Sequence, residues 1–503
     1  MYKSDRFSCK QAFAMRRLSY LSPVSFAALL AALLPGCAAG PDFSAPAAPD
    51  VSVYDFNKSP EITSDGRQDL LMGKDIPAQW WELFHSKNLN KLIEEAIKDN
   101  PDLASAEASL RVAQDNLSAG GAAFFPTVSG AFSSTRAQTS KVTNNGVQSI
   151  YTLHNASVGV SYNVDVWGGT RRTVEKLEAQ VEATRFQREA AYLTLTSNVV
   201  TLAVSEASLR EQIAAAEKII EAQEKILNIF NLRFASGAVA KSAVLAQESV
   251  LASSKAALPP LHHQLVVTRH ALLALMGKMP SEAFVEEFKL SEMCLPDGIP
   301  LSLPAKLVEQ RPDVRVALEN LHAASAGIGI AEAARLPNIM LSADIGSVAS
   351  VLHKLFTPGG GFWDLGASAS QTLFDAGALA DREQAARDAF DVAAAQYRKT
   401  VVAAFQDVAD TLHALHADSD GLVAKREAEK AASESLALTQ SQFDAGATGL
   451  AELLLAQQSA QQAKAALAQA EAQRYADTAA LYVALGGGWW NRSAETSSEK
   501  GPQ

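Results

Sequence analysis

From Thr170 to Phe234 the sequence contains neither proline nor glycine. Nothing there ends a helix, and one helix over that span would run about 100 Å at about 1.5 Å per residue, longer than an ordinary globular domain. Cysteine is scarce too: Cys9, Cys37 and Cys294 are the whole supply, too few for a disulfide framework. After the first 36 residues no run of 18 continuous apolar residues occurs, which excludes a further spanning helix. Positive charge is in deficit, 44 Lys and Arg against 55 Asp and Glu for a net of -11. Nucleic acid needs a basic face and is not an expected partner. A nucleophile elbow, a zinc helix and a dinucleotide fingerprint are all absent. Missing motifs do not by themselves exclude an enzyme, but long Ala-rich rods make poor active-site scaffolds, so the chain reads as a non-enzyme, with no catalytic residue, cofactor or metal expected.

What is present begins with an export signal. Lys3, Arg6, Lys10, Arg16 and Arg17 precede an apolar run that includes Phe26 to Leu34, and Pro35-Gly36-Cys37 follows. Removal of 1–36 would leave a chain more acidic still. Leu34-Pro35-Gly36-Cys37 resembles the bacterial lipobox, which implies acylation of Cys37. The likeness places Ala38 where Asp would retain a protein in the inner membrane, so the outer membrane is the implied address. Cys294 is then left without an intrachain partner, as a free thiol in a loop.

Gly40 to Pro49, rich in Pro and Ala, reads as an extended tether. Trp80-Trp81-Glu82-Leu83-Phe84 reads as an aromatic plug against a helix bundle. A first helix is predicted from about Leu89 through Asn100-Pro101 to Gly120-Gly121. Pro126 to Arg136 is predicted as a strand and Asn144-Asn145-Gly146 as a turn. From Ser157 to Val166 comes the clearest strand: Val158, Val160, Tyr162, Val164 and Val166 alternate with small or polar residues. The long helix follows, then another from about Ala240 to Leu275, in which Pro259-Pro260 should cause a kink or an interruption.

The pattern then recurs. Asn100-Pro101-Asp102 returns as Arg311-Pro312-Asp313 and Phe125-Pro126 as Leu336-Pro337, both 211 residues on. Phe234 to Gly237 returns as Phe443 to Gly446, and Leu275 to Gly277 as Ala484 to Gly486, both 209 on. Strands are predicted at Asn338 to Ile345 and Trp363 to Phe374, joined by a Gly-rich turn at Pro358 to Gly361. A helix from Ala378 to Phe443 carries Tyr397, Val401, Phe405, Val408, Leu412 and Leu415 at coiled-coil-like spacing. Each half is thus helix, strand, strand, long helix, helix. The expected division is a signal peptide at 1–36, an anchored tether at 37–88, repeats at 89–280 and 305–488, a connector at 281–304 and a polar tail at 489–503.

Strands of about ten residues, tilted near 45°, match the apolar band of an outer-membrane barrel. Four cannot close one, so copies of the chain would have to share a wall. Two copies give eight strands and three give twelve, and spacing does not choose. The plainer reading is a pair of small sheets capping a soluble helical bundle.

Gly40-Pro41-Asp42-Phe43, Trp80-Trp81 with Phe84, Asn100 to Leu103, Leu373 to Gly377, the two Phe-x-x-Gly turns and Ala480 to Trp489 together resemble the outer membrane factor family, the TolC-like efflux channels. The lipobox suggests its NodT-type lipoprotein branch. That resemblance implies a mainly α chain and a homotrimer, a twelve-stranded outer-membrane barrel continuous with a twelve-helix periplasmic tunnel. It implies outer-membrane lipid, a periplasmic adaptor and an inner-membrane transporter of the resistance-nodulation-division (RND) type as partners. The subunit would be a passive, tip-gated conduit for small molecules such as drugs. Its turns would dock the adaptor through Phe234, Gly237, Ala238 and Val239 in the first half and Phe443, Gly446, Ala447 and Thr448 in the second. Both glycines also read as helix C-caps needing φ > 0. Glu452 falls where the family narrows its gate with carboxylates, and Leu455 stands where a second acidic residue would. Rival readings are the outer-membrane port of a protein-secretion system and a lipid-anchored coiled-coil spacer that conducts nothing.

His413 and His416, one helical turn apart, have the spacing of a metal pair but lack a convincing third ligand. Gly359-Gly360-Gly361 lacks the Lys-Ser/Thr of a phosphate loop and reads as a flexible turn.

Overall fold

The computed structural model describes residues 38–49, 68–140, 142, 148–284, 286–301 and 304–492. The signal peptide, Cys37, the Asn144-Asn145-Gly146 turn and the tail from Ser493 lie outside them. The fold is mainly helical, and the chain divides into two compact units. One draws on the chain up to Ser44, on Asn116–Glu178 and on His322–Asp391; the other on Ala45–Asp115, Ala179–Leu321 and the chain from Val392.

The elements run β1 (Asp69–Met72), α1 (Lys87–Asp99), α2 (Pro101–Gly121), β2 (Thr127–Gln138), β3 (Ile150–Val164), α3 (Gly169–Ala235) and α4 (Lys241–Leu275). After these come β4 (Gly298–Leu301), α5 (Pro304–Gln310), α6 (Pro312–Ala333), β5 (Asn338–Ala349), β6 (Gly361–Ser370), α7 (Ala378–Asp444) and α8 (Leu450–Ala484). Helices α3 and α7 are each 67 residues long, and α4 and α8 each 35. Both pairs keep the 209-residue spacing at every helix end.

In the first unit β2, β3, β5 and β6 form one antiparallel sheet in that order, with β2 and β6 as edges. Residues paired across strands share a face, because successive side chains alternate. One face is apolar: Val160 stands opposite Val128 and Ala343, and Ala343 opposite Leu365. Val158 stands opposite Ile345, and Ile345 opposite Trp363, which is 74% exposed. The other face is small or polar, with Gly159 between Ser129 and Asp344, and Asp344 opposite Asp364.

Residues 39–43 are clamped to this unit. Ala39 donates its amide to Trp167 O (2.8 Å), and Arg172 donates to Ala39 O and to Asp42 Oδ1 (2.7 Å). The Phe43 ring stacks on His322 at 4.4 Å. Asp165 caps α3 by accepting from the amides of Thr170 and Arg171, and Asp375 caps α7 by accepting from Leu379. Those backbone donors at Leu379 and Gly377 hold the Asp375 carboxyl below its usual range.

In the second unit Trp80 and Phe84 are fully buried and Trp81 nearly so. Trp80 stacks on Tyr482 at 5.5 Å, and Phe84 lies 6.0 Å from the Tyr475 ring. The unit also holds a two-stranded parallel sheet, β1 on β4.

Several sequence expectations need correction. The helix from Leu89 to Gly121 is two helices, broken at Asn100, whose ψ of 124° is extended. The clash of a proline ring with the residue before it disfavours the α conformation there. Asn100 then caps α2 by accepting from Leu103 N and donates to Leu275 O. The Pro259-Pro260 pair does not interrupt α4, which runs unbroken from Lys241 to Leu275. Leu258 and Leu261, on either side of the pair, pack against Leu209, Ile213 and Leu265, and that packing carries the helix across its missing donors. The second strand starts at Ile150 and ends at Val164, short of Val166, because Trp167 turns toward Pro337 O. The last strand ends at Ser370, before Phe374, where the chain turns into the Asp375 cap.

Candidate docking turns and gate

The two helix pairs of the second unit reverse direction at Ser236–Ala240 and Ala445–Gly449. Apolar residues repeat down each pair to within one turn of the reversal, and a glycine then stops the helix. At the first reversal the Gly237 amide donates to Phe234 O (2.9 Å) and the Ala238 amide to Arg233 O (2.8 Å). The second repeats the pattern, Gly446 N to Phe443 O (3.1 Å) and Ala447 N to Gln442 O (2.8 Å). This pairing satisfies the last helical carbonyls and requires a left-handed residue at the cap. Gly237 has φ +78° and Gly446 φ +74°, and a Cβ at either would meet nothing within 4 Å. Both glycines are there for their backbone alone.

The structure brings the two turns together through an apolar cluster of Ile226, Phe230, Val244, Phe443 and Leu453. Val239 packs against its margin. Phe443 is 8% exposed, stacked on Phe230 at 5.3 Å with the Arg233 guanidinium 5.1 Å above its ring. Phe234, its counterpart, is 42% exposed, with the Lys241 ammonium 5.6 Å from its ring. Gly237, Ala238, Gly446 and Ala447 are exposed, and Thr448 is half-buried. Phe230 and Arg233 were not singled out from the sequence. The spacing of Phe230, four residues before Phe234, marks it as a helix neighbour, but its stacking on Phe443 depends on the other turn.

Glu452 lies in the first turn of α8 and is exposed. Its carboxylate curls back over Gly449, where a Cβ would sit 2.7 Å from Oε2. An anion at this third helical position suits the unpaired amides and positive end of a helix start, and Gly449 offers no side chain to cap them. Leu455 points outward and Leu453 inward. Among the described residues no group of three metal-ligating side chains is assembled, and Cys294 is exposed. The sites that the structure does assemble are surfaces and caps, made of backbone geometry, rings and one carboxylate.

Comparison with known proteins accounts for this arrangement. The outer membrane efflux protein model matches residues 92–278 and 303–487. The pyoverdine export outer membrane protein OpmQ of Pseudomonas putida is 29% identical over 425 residues, spanning 82% of this chain and 89% of its own length. Nodulation protein T of Rhizobium leguminosarum bv. viciae is 27% identical over 467 residues, spanning 92% and 93%. The solved structure of the outer-membrane channel OprN aligns with a TM-score of 0.82 at 25% identity, covering 90% of this chain and 100% of that one. Matched by the model in both halves, this chain belongs to the outer membrane efflux protein family, a family of efflux proteins rather than enzymes.

Proposed function

We propose that the chain is the outer-membrane channel subunit of a tripartite efflux system, exporting small molecules such as drugs by passive conduction. The observation that carries this reading is the four-stranded sheet with an exposed apolar face and two open edges. An isolated sheet of this kind leaves its edge amides and carbonyls unpaired and its apolar face in water. Joining β6 of one copy to β2 of the next removes the first cost, and setting the apolar face in lipid removes the second. Three copies make a twelve-stranded wall with Val128, Val160 and Leu365 toward lipid and Ser129, Asp344 and Asp364 toward the lumen. Two internally duplicated repeats, 89–280 and 305–488 about the connector 281–304, would then supply twelve helices to the tunnel.

Cys37 is the lipid anchor on this reading, and the Arg172 clamp on Ala39 and Asp42 fixes the chain that follows it. The exposed turn residues Phe234, Gly237, Ala238, Gly446 and Ala447 face a periplasmic adaptor, with an inner-membrane RND transporter beyond it. Val239 and Thr448 support them from behind. Three Glu452 carboxylates about one axis form the gate and favour cations.

The test is the mass of the extracted particle by light scattering together with conductance in a planar bilayer. Three chains per particle and discrete conductance steps are expected. A monomer that stays soluble without detergent once Cys37 is replaced, and conducts nothing, would move the reading to a periplasmic spacer.

A further inference from the structure

A cavity of about 380 Å³ opens among α3, α7 and α8, on the far side of Ile226 from the turns. Ile219, Ala222 and Ile226 from α3 and Leu436 and Ala437 from α7 give it an apolar wall. Into this wall are set Gln223 from α3 and Gln457 from α8, which are 2% and 5% exposed. Gln440, Ser433, Ala460 and the exposed Lys464 complete the lining.

The buried amides lack partners. Gln457 has neither Oε1 nor Nε2 hydrogen-bonded, and Gln223 lacks a donor to its Oε1. Fully buried Gln247 on α4 also has an unpaired Oε1, and its amide reaches Gln223 O only at 3.5 Å. Burying an unpaired polar group costs on the order of 1–3 kcal/mol, so side chains of this kind are retained where something satisfies them. Apolar residues would fill the same space with no such cost. The first helix pair shows that solution, with Leu209, Ile213 and Leu265 forming a dry cluster farther along it.

We infer that this cavity is a binding site for an apolar small molecule bearing a cis amide or lactam edge. A lactam presents an N–H and a C=O side by side and can pair with both ends of the Gln457 amide after a turn about its last torsion. The aromatic or aliphatic body then occupies the space between Ile219, Ile226 and Leu436. The inference holds whatever passes through the channel, since the two amides that carry it, Gln223 and Gln457, belong to the helix packing and not to the strands, the exposed turn residues or Glu452.

The experiment uses the full chain in lipid nanodiscs with 6(5H)-phenanthridinone, a fluorescent tricyclic lactam, as the probe. Its N-methyl derivative, which keeps the shape and loses the donor, is the comparison. Specific binding is the saturable part, and Ala222→Phe, which places a ring across the cavity at an exposed lining position, should abolish it. Saturable binding is expected, about tenfold weaker for the N-methyl compound, as for loss of one buried hydrogen bond. Gln457→Leu removes both partners of the amide edge, so it should weaken the lactam by two hydrogen bonds and the N-methyl compound, which keeps its carbonyl, by one, leaving the two probes equal in affinity. Equal affinities for the two probes, or a Gln457→Leu protein that still prefers the lactam, would overturn the inference. So would binding that survives Ala222→Phe, or no saturable binding, which would mean that the cavity holds water only.

Discussion

Helices α3 and α4 have the same lengths and the same reversing geometry as α7 and α8, yet the two pairs are packed on different chemistry. At the reversal Phe443 is core and Phe234 is surface, because Phe230 and Arg233 of the first pair reach across to cover Phe443. The positions that would cover Phe234 in return, 209 residues on, hold Thr439 and Gln442. Farther along, Leu209, Ile213 and Leu265 form an apolar layer in the first pair. The same places in the second pair hold Asp418, Leu422 and Arg474, with Asp477 in place of Thr268. Equal backbones thus leave one pair to build the core and the other to carry the exceptions.

The sharpest break in that comparison is Phe443→Ala against Phe234→Ala. Removing the buried ring should cost about 3 kcal/mol, whereas removing the exposed one should change stability by about 0.5 kcal/mol or less. Hydrogen exchange at the α7–α8 reversal reads both, and equal protection losses would mean that the stacking of Phe230 on Phe443 is not what joins the turns. On the proposed reading Phe234→Ala should instead weaken adaptor docking in a normally folded protein. Of the two rings, only Phe234 is open to a partner.

Much of this was legible in the sequence, and what was not has a common cause. The alternation from Val158 to Val164 and the proline-free and glycine-free rod after it are local signals; the rod is placed within a few residues, while the strand begins at Ile150, seven residues before the predicted Ser157. Gly237 and Gly446 were legible as caps because a left-handed residue is a local need. The unbroken α4 was not, since the support for Pro259 and Pro260 comes from Leu209 and Ile213 on another helix. The pairing of β1 with β4 joins four-residue segments from distant parts of the chain, and neither alternates. The different fates of Phe234 and Phe443 depend on residues across the turn and have no signature within either motif.

The mid-helix layers give the next contrast. Burial first, and then the neighbouring Asp477 carboxyl, raise the Asp418 pKa from 3.8 to about 7, against a smaller opposing pull from Arg474. A raised carboxyl favours the folded state most when protonated. Its contribution is complete below the ordinary value of 3.8 and is lost as pH rises to about 7. Asp418→Asn keeps the neutral form at every pH, so thermal unfolding should lose that part of its slope and the variant should melt higher at pH 8. Converting the layer to the first pair's chemistry, Asp418→Leu with Arg474→Leu, should stabilise by about 1–2 kcal/mol. A pH profile unchanged by Asp418→Asn would place the titration elsewhere.

The caps should not differ between the pairs. Gly237→Ala and Gly446→Ala each force a side chain into the left-handed region with no steric neighbour, at about 1 kcal/mol apiece. Asn at either position should cost less, since it tolerates that conformation. Urea titrations of the four variants check this, and a large excess at one glycine would mean that its turn is held by more than its backbone.

A small effect on stability is expected at Glu452, whose counterpart 209 residues earlier is Ala243. Of the two helix starts that follow the reversals, that of α8 carries a carboxylate and that of α4 does not, and on the proposed reading three copies would give a ring of three. Glu452→Gln retains the size and the reach back over Gly449 while removing the charge, so folding should change by only about 0.3–1 kcal/mol, the worth of an anion at a helix start. On the proposed reading ion selectivity should change far more, with cation preference falling in bilayer recordings while the mass of the particle and its conductance persist. Unchanged selectivity would leave Glu452 as a helix-start residue and remove it from the gate. A fall in selectivity in Glu452→Gln, with none on placing Asp at Ala243, would locate the constriction on the second helix pair alone.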